Sequence, residues 1–132
     1  DAIVLIFATA ALMEVASLRA AIHQFEAVEE SAEMISVARY PAPIEWAMRM
    51  DESGQLHPAQ PEKLSVRSQD LEESWYETAE FVLYDEQSLI SEGLETLRLG
   101  FPIPYLSIDI DSEKDWEMAE SIGQAKESMN NS

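Results

Sequence analysis

The chain has 132 residues, enough for one compact domain, and hydrophobic residues make up 46% of it, so a buried core is expected. Its 26 Asp and Glu outnumber 8 Lys and Arg, for a formal net charge of −18. Such a surface repels phosphate backbones and anionic lipids, so we expect no nucleic-acid and no membrane partner. The absence of Cys and the presence of only two His exclude disulfides and argue against zinc.

The uncharged segment Ala2–Met13 opens the chain. It is too short to span a bilayer, which needs about 20 apolar residues, and it lacks the positive flank of a signal peptide. Apolar residues on both faces are typical of a buried parallel strand, so the sequence predicts such a strand over Ala2–Phe7. Because a strand of this kind belongs inside a sheet, we expect the chain to begin in the middle of a domain.

The next elements follow from periodicity. Apolar residues at three- and four-residue steps predict a helix within Leu12–Glu30. Strands are predicted over Met34–Tyr40 and Ile44–Met50, the second closed by a turn at Asp51–Gly54. The polar residues 55–74, interrupted by prolines, predict an ordered loop.

The second half is predicted to contain a strand, a helix, a strand and a helix: Trp75–Tyr84, Gln87–Leu97, Tyr105–Ile110 and Glu113–Lys126. The segment Gly100–Pro104 should break the helix predicted over Gln87–Leu97, and Ser112 is a good N-cap for the helix predicted over Glu113–Lys126. This order indicates an α/β layered fold with a mixed sheet, in which ligands usually bind at strand ends. We expect residues 1–128 to form one domain and residues 129–132 a disordered tail.

Two acids at a predicted strand end could carry chemistry. Asp109 and Asp111 alternate just before a helix, where two carboxylates suit Mg²⁺. Alternatively, these acids only cap the helix and face water. An EF-hand loop is a poorer match, because Lys114 stands where that loop needs glycine.

A second candidate site lies in the predicted loop. Arg67 offers a planar fork of donors for a carboxylate or phosphate, and Gln69 can both donate and accept hydrogen bonds towards a polyol. A surface ion pair between Arg67 and Asp70 or Glu72 is the competing interpretation. The aromatic residues of Trp75–Phe81 are more typical of a core than of a ligand platform, and no catalytic triad or glycine-rich phosphate loop is present.

Six segments, taken in order, form a specific set: Phe7–Ala10, Tyr40–Ile44, Pro61–Glu62, Arg67–Leu71, Phe81 and Asp109–Trp116. The set resembles the C-terminal part of the acylneuraminate cytidylyltransferases, especially the branch acting on pseudaminic acid and related nonulosonates. The resemblance covers roughly residues 3–120. These enzymes join CTP to the anomeric hydroxyl of a nine-carbon keto-sugar acid, releasing pyrophosphate and forming the CMP-sugar.

The resemblance implies a Rossmann-like, three-layer α/β/α nucleotide-diphospho-sugar transferase fold whose N-terminal nucleotide-binding half is missing from this chain. It implies a metal pair that holds Mg²⁺ near the triphosphate, Asp109 and Asp111. It also implies sugar-binding residues, with Arg67 on the sugar carboxylate: Arg67, Gln69, Tyr76, Glu77 and Phe81. The partners would be CTP and a nine-carbon sugar acid in the cytoplasm. We also expect a homo-oligomer, because a strand without its neighbour pairs readily with another chain.

The chain differs from the family at several positions. It lacks the loop rich in Gly, Ser, Lys and Arg that holds the CTP phosphates, so we expect it to be inactive alone. Where the family has His-Asp-Ala-Gly-Gln-Phe, residues 76–81 place Ala79 for glycine and Glu80 for glutamine. The alternative hypothesis is therefore a non-catalytic remnant or acidic interaction module that keeps the fold without the chemistry.

Overall fold

A computed structural model describes residues 2–90 and 96–130. Its six strands are β1 (Ile3–Ile6), β2 (Ala32–Arg39), β3 (Met48–Met50), β4 (Leu56–Pro58), β5 (Trp75–Tyr84) and β6 (Leu97–Pro102). Its three α-helices are α1 (Val15–Glu26), α2 (Glu86–Ile90) and α3 (Glu113–Asn130).

The chain divides into two compact units. The sheet unit comprises Asp1–Ala38 with Glu77–Ser132, and the hairpin unit comprises Arg39–Tyr76. In the described part of the chain, no helix is long and apolar enough to cross a bilayer.

A four-stranded sheet in the order β1-β5-β2-β6 organises the sheet unit. β1 runs antiparallel to β5, whereas β2 runs parallel to β6. The fold is therefore α/β with a mixed sheet, as the sequence predicted.

Helix α1 covers one face of this sheet. Its apolar stripe places Ala21 and Phe25 against the strands, as the three- and four-residue spacing requires. The buried core contains residues from α1, β2 and β5: Ala21, Phe25, Ala32, Met34, Phe81 and Leu83. Burial of this stripe is the main stabilisation of a helix whose twelve residues would be marginal in water alone.

The first strand differs from the prediction of a buried parallel strand over Ala2–Phe7. β1 is antiparallel to its neighbour β5, and no other described strand pairs with its outer edge. All four of its side chains are exposed, at 37–48% of their surface. An unbroken apolar run indicates a strand, but it does not specify whether neighbours cover that strand.

Two predictions for the hairpin unit differ from the structure. The segment predicted as one strand, Ile44–Met50, is a short 3₁₀ turn over Ile44–Trp46 followed by β3. Part of the predicted loop forms β4, which pairs antiparallel with β3. The predicted turn at Asp51–Gly54 joins them, with the Asp51 carboxylate accepting the backbone N–H groups of Ser53 and Gln55. The carboxylate also accepts a hydrogen bond from the Ser53 hydroxyl and pairs with His57. The Ser53 hydroxyl contributes most, followed by His57 and the backbone N–H of Gln55, to lowering the pKa of Asp51 to about 2.

Two predictions in the second half were wrong in part, and a third was wrong. The predicted helix Gln87–Leu97 corresponds to α2, with residues 91–95 outside the described residues and Leu97 already in β6. β6 also runs into the segment predicted as a break, Gly100–Pro104. The predicted strand Tyr105–Ile110 has no regular structure, because its backbone joins no ladder of the sheet.

Helix α3 begins where the sequence predicted. The Ser112 hydroxyl accepts the backbone N–H of Asp115 at 3.3 Å, and the Asp115 carboxylate accepts the backbone N–H of Ser112 at 2.9 Å. This reciprocal capping box satisfies two donors at the helix start. The helix continues to Asn130 and so includes two residues of the predicted tail, whose last two residues lie outside the described part.

Candidate functional site

A bulge in the central strand β5 organises the polar part of the sheet unit. Ala79 has φ of +51°, the left-handed conformation that costs residues with a side chain about 1–2 kcal/mol. The irregularity turns the N–H groups of Glu80 and Phe81 towards the Ser36 hydroxyl, which accepts them at 3.3 and 3.1 Å. The Thr78 hydroxyl lies 2.9 Å from the same oxygen. A buried serine on β2 therefore accepts hydrogen bonds from two backbone N–H groups of the β5 bulge.

The residue after the bulge has a buried carboxyl group. Glu80 is 1% exposed, and the Tyr105 hydroxyl donates a hydrogen bond of 2.6 Å to its Oε2. Its other oxygen, Oε1, is buried and has no hydrogen-bond partner among the described residues. Burying a carboxylate is costly unless hydrogen bonds satisfy it, so the bond from Tyr105 matters to the fold.

Tyr105 links Glu80 to the start of α1 and to the C-terminal part of α3. Its hydroxyl accepts the backbone N–H of Glu14, just before α1, at 3.1 Å. The Lys126 ammonium lies 4.7 Å from the Tyr105 ring centroid and 2.8 Å from a Glu14 carboxylate oxygen. Burial, followed by the hydrogen bond to Glu80, raises the pKa of Tyr105 to about 12. We call Glu14, Glu80, Tyr105 and Lys126 the tyrosine network.

The two acids predicted to hold metal are exposed in the irregular segment before α3. Nearby, the Ser107 hydroxyl donates to the Thr78 carbonyl at 3.4 Å, so this segment runs beside β5. Asp109 and Asp111 offer hard oxygen ligands suited to Mg²⁺. Within the described ranges, however, no three His, Asp or Glu side chains gather into a metal site.

The structure separates the predicted sugar-binding residues of β5. Glu77 is exposed, whereas Phe81 is fully buried and packs against Phe101 with ring centroids 6.0 Å apart. The prediction that Phe81 lines a sugar pocket is not supported by this placement, because its ring belongs to the core. The alternation of β5 turns Phe81 to the α1 face.

The hairpin unit contains a pocket of about 450 Å³, within the size range of small-molecule sites. Two segments of the family resemblance, Tyr40–Ile44 and Arg67–Leu71, contribute to its wall. The lining residues are Arg39, Tyr40, Pro41, Ala42, Pro43, Ser68, Leu71, Glu72, Glu73 and Ser74.

Three predicted sugar-binding residues belong to the hairpin unit. Arg67 is exposed and forms an ion pair with Asp70, its Nε donating to Oδ2 at 2.9 Å. Gln69 is exposed in the intervening 3₁₀ turn. Tyr76 is half-buried, and its ring lies 5.1 Å from that of Tyr40. The local ion pair that competed with ligand binding is therefore present.

Sequence reasoning missed the residues with the most informative contacts. Arg39 lines the pocket. Because the chain has only eight Lys and Arg, each of them could have been considered as a binding residue from the sequence. Ser36 and Tyr105 gave no signal, because their partners in β5 are 42 to 45 and 25 residues away.

A scan against protein-family models finds no matching family, and a search of curated proteins finds no match.

Proposed function

We propose that this chain is the C-terminal portion of a cytidylyltransferase that activates a nonulosonic acid, of sialic or pseudaminic type, with CTP. The reaction would yield the CMP-sugar and pyrophosphate in the cytoplasm, on a Rossmann-like three-layer fold. The observation that carries the proposal is the hairpin-unit pocket. Two separate segments that resemble the family, Tyr40–Ile44 and Arg67–Leu71, contribute to one cavity of suitable size.

The bulge in β5 gives independent support. Ala79 adopts a left-handed conformation at the position where the family has glycine. Glycine adopts this conformation without a steric penalty, so the backbone of this chain keeps a geometry that the family's residue favours.

In this proposal, Asp109 and Asp111 would hold Mg²⁺ together with the nucleotide phosphates, which supply the remaining oxygen ligands. When bound, the metal would neutralise charge on the triphosphate. The chain's own residues would bind and orient the sugar acid in the hairpin-unit pocket.

The direct test joins this chain to the nucleotide-binding half of an authentic family enzyme. We expect pyrophosphate release from CTP and a nonulosonic acid, and its loss when Asp109 and Asp111 are both changed to Asn. The double variant Glu120→Gln with Glu127→Gln, which removes the same charge from exposed positions of α3, is the matched control and should stay active. Folded fusions that bind CTP but release no pyrophosphate would count against the proposal.

A non-catalytic interaction module is the second candidate function. The observations that favour it are the burial of Phe81 in the core and the local pairing of Arg67 with Asp70. A homo-oligomer formed through the free edge of β1 is compatible with either function. Light scattering would measure the oligomeric state, and the fusion assay would separate the two functions.

A further inference from the structure

The hairpin-unit pocket has one cationic side chain among its lining residues. Arg39 is the last residue of β2, and the other charged lining residues are Glu72 and Glu73. A ligand carboxylate that enters this pocket therefore meets the guanidinium of Arg39 rather than that of Arg67, which is not a lining residue.

The backbone on either side of Arg39 is well held. The N–H of Tyr40 donates to the Ser74 carbonyl at 2.9 Å, so the two segments that bear Arg39 and Glu73 lie side by side. The Tyr40 and Tyr76 rings pack 5.1 Å apart with planes tilted by 59°. These contacts fix the base of the Arg39 side chain, while the side chain itself is 62% exposed and free to reach a ligand.

The two arginines differ in how their donors are used. Arg67 directs Nε and Nη2 towards the two carboxylate oxygens of Asp70, three residues away in the same turn. The Nη2 of Arg39 lies 2.9 Å from a carboxylate oxygen of Glu73, and this is the ion pair of Arg39 within the described residues. Because exposed ion pairs contribute little to stability, Glu73 can give way to a ligand carboxylate at small cost.

We propose that Arg39, released from Glu73, binds the carboxylate of the sugar acid in this pocket. This inference rests on the proposed function and changes the residue assigned to the carboxylate. The neighbouring carboxylates of Glu72 and Glu73 set the ligand class. They repel phosphates and dicarboxylates but accept hydrogen bonds from hydroxyl and amino groups, so the pocket suits a monocarboxylate rich in such donors.

Titrations followed by NMR, using N-acetylneuraminate, pseudaminate and the methyl ester of each, test the inference on the unmodified chain. We expect an acid to bind at least about tenfold more tightly than its ester, because the ester cannot accept the charge-assisted bonds of Arg39. Absence of binding by both acids, or equal binding of acid and ester, would overturn the inference.

Paired variants identify the residue responsible. Arg39→Gln should weaken acid binding about tenfold or more, whereas Arg49→Gln, with the same charge change on exposed β3, should change it by less than about twofold. Glu73→Gln should strengthen binding more than Glu72→Gln, because only Glu73 competes for Arg39. Arg67→Gln should behave as Arg49→Gln does. Loss of binding in Arg67→Gln with Arg39→Gln unaffected would overturn the assignment.

The two proposals fail separately. Acid binding that depends on Arg39, without pyrophosphate release by the fusion, supports this inference and contradicts the proposed function. Pyrophosphate release by the fusion, with an unchanged KM for the sugar acid in Arg39→Gln, supports the proposed function and contradicts this inference.

Discussion

Two side-chain pairs of the molecule, an ion pair and a hydrogen bond, differ in exposure and in the separation of their residues along the chain. The pair of Arg67 and Asp70 in the hairpin unit is exposed and joins residues three positions apart. The bond from Tyr105 to Glu80 in the sheet unit reaches a carboxylate that is 1% exposed and joins residues 25 positions apart. An exposed local pair forms in water at little gain, whereas a buried distant pair stabilises only the folded chain. The sequence indicated the first arrangement as one of two interpretations of Arg67, whereas it gave no signal for the second.

We expect the largest effect from a substitution among the buried hydrogen bonds of the sheet unit. Ser36→Ala removes the acceptor of two buried N–H groups in the β5 bulge, those of Glu80 and Phe81. Since each of the two unsatisfied groups costs about 1–3 kcal/mol, the free energy of unfolding should fall by about 2–6 kcal/mol. Urea denaturation measures it, with Ser65→Ala on the exposed surface as the control. Equal, small losses in both variants would show that the bulge does not depend on Ser36.

The tyrosine network should appear in the high-pH behaviour. Folding raises the pKa of Tyr105 from 10.0 to about 12, first through burial and then through the bond to Glu80. The folded state therefore retains a proton that the unfolded state loses. The resulting stability is fully present below pH 10 and is lost as the pH rises through about 12.

Ultraviolet titration of the phenolate would follow this group. Glu80→Gln should move the Tyr105 pKa towards its ordinary value, because the charged acceptor is gone, whereas Glu77→Gln should leave it in place. An unchanged pKa in Glu80→Gln would remove Glu80 from the network.

Backbone strain at the bulge gives a smaller and opposite effect. Ala79→Gly relieves the left-handed conformation and should raise the free energy of unfolding by about 1 kcal/mol. Gly54→Ala, at φ of +85° in the β3–β4 turn, should lower it by a similar amount. Thermal unfolding of both variants measures this opposition, and destabilisation by Ala79→Gly would contradict the assigned strain.

The exposed side of the comparison should give the smallest effect. Arg67→Gln breaks the pair with Asp70, and the free energy of unfolding should change by less than about 0.5 kcal/mol. Urea denaturation at low and high salt would check it. A loss comparable with that of Ser36→Ala would make the local pair as important as the buried one.

Local pattern allowed much of the fold to be predicted. The apolar spacing of α1, the β-forming residues of β5 and the cap at Ser112 are encoded within a few positions, and each element is present. The exposure of β1 could not be predicted, because it depends on which strands lie beside it. Tyr105–Ile110 alternates like a strand, but alternation cannot supply a pairing partner.

The candidate site followed the same division. The ion pair of Arg67 with Asp70 was foreseeable, since its partner lies in the same turn. The burial of Phe81 and the bond from Tyr105 to Glu80 were not, because they depend on tertiary packing. The pocket residue Arg39 stands at a strand end, and only the hairpin unit as a whole shows that Glu73 is its neighbour.

The outer edge of β1, which no described strand covers, affects the solution behaviour of the chain. At neutral pH a net charge of −18 opposes association at long range, although β1 itself carries no charge. Near the sequence isoelectric point, about pH 4.1, that long-range repulsion disappears while the apolar edge remains. Acidification therefore favours further association through this edge, and we expect solubility to be lowest near that pH.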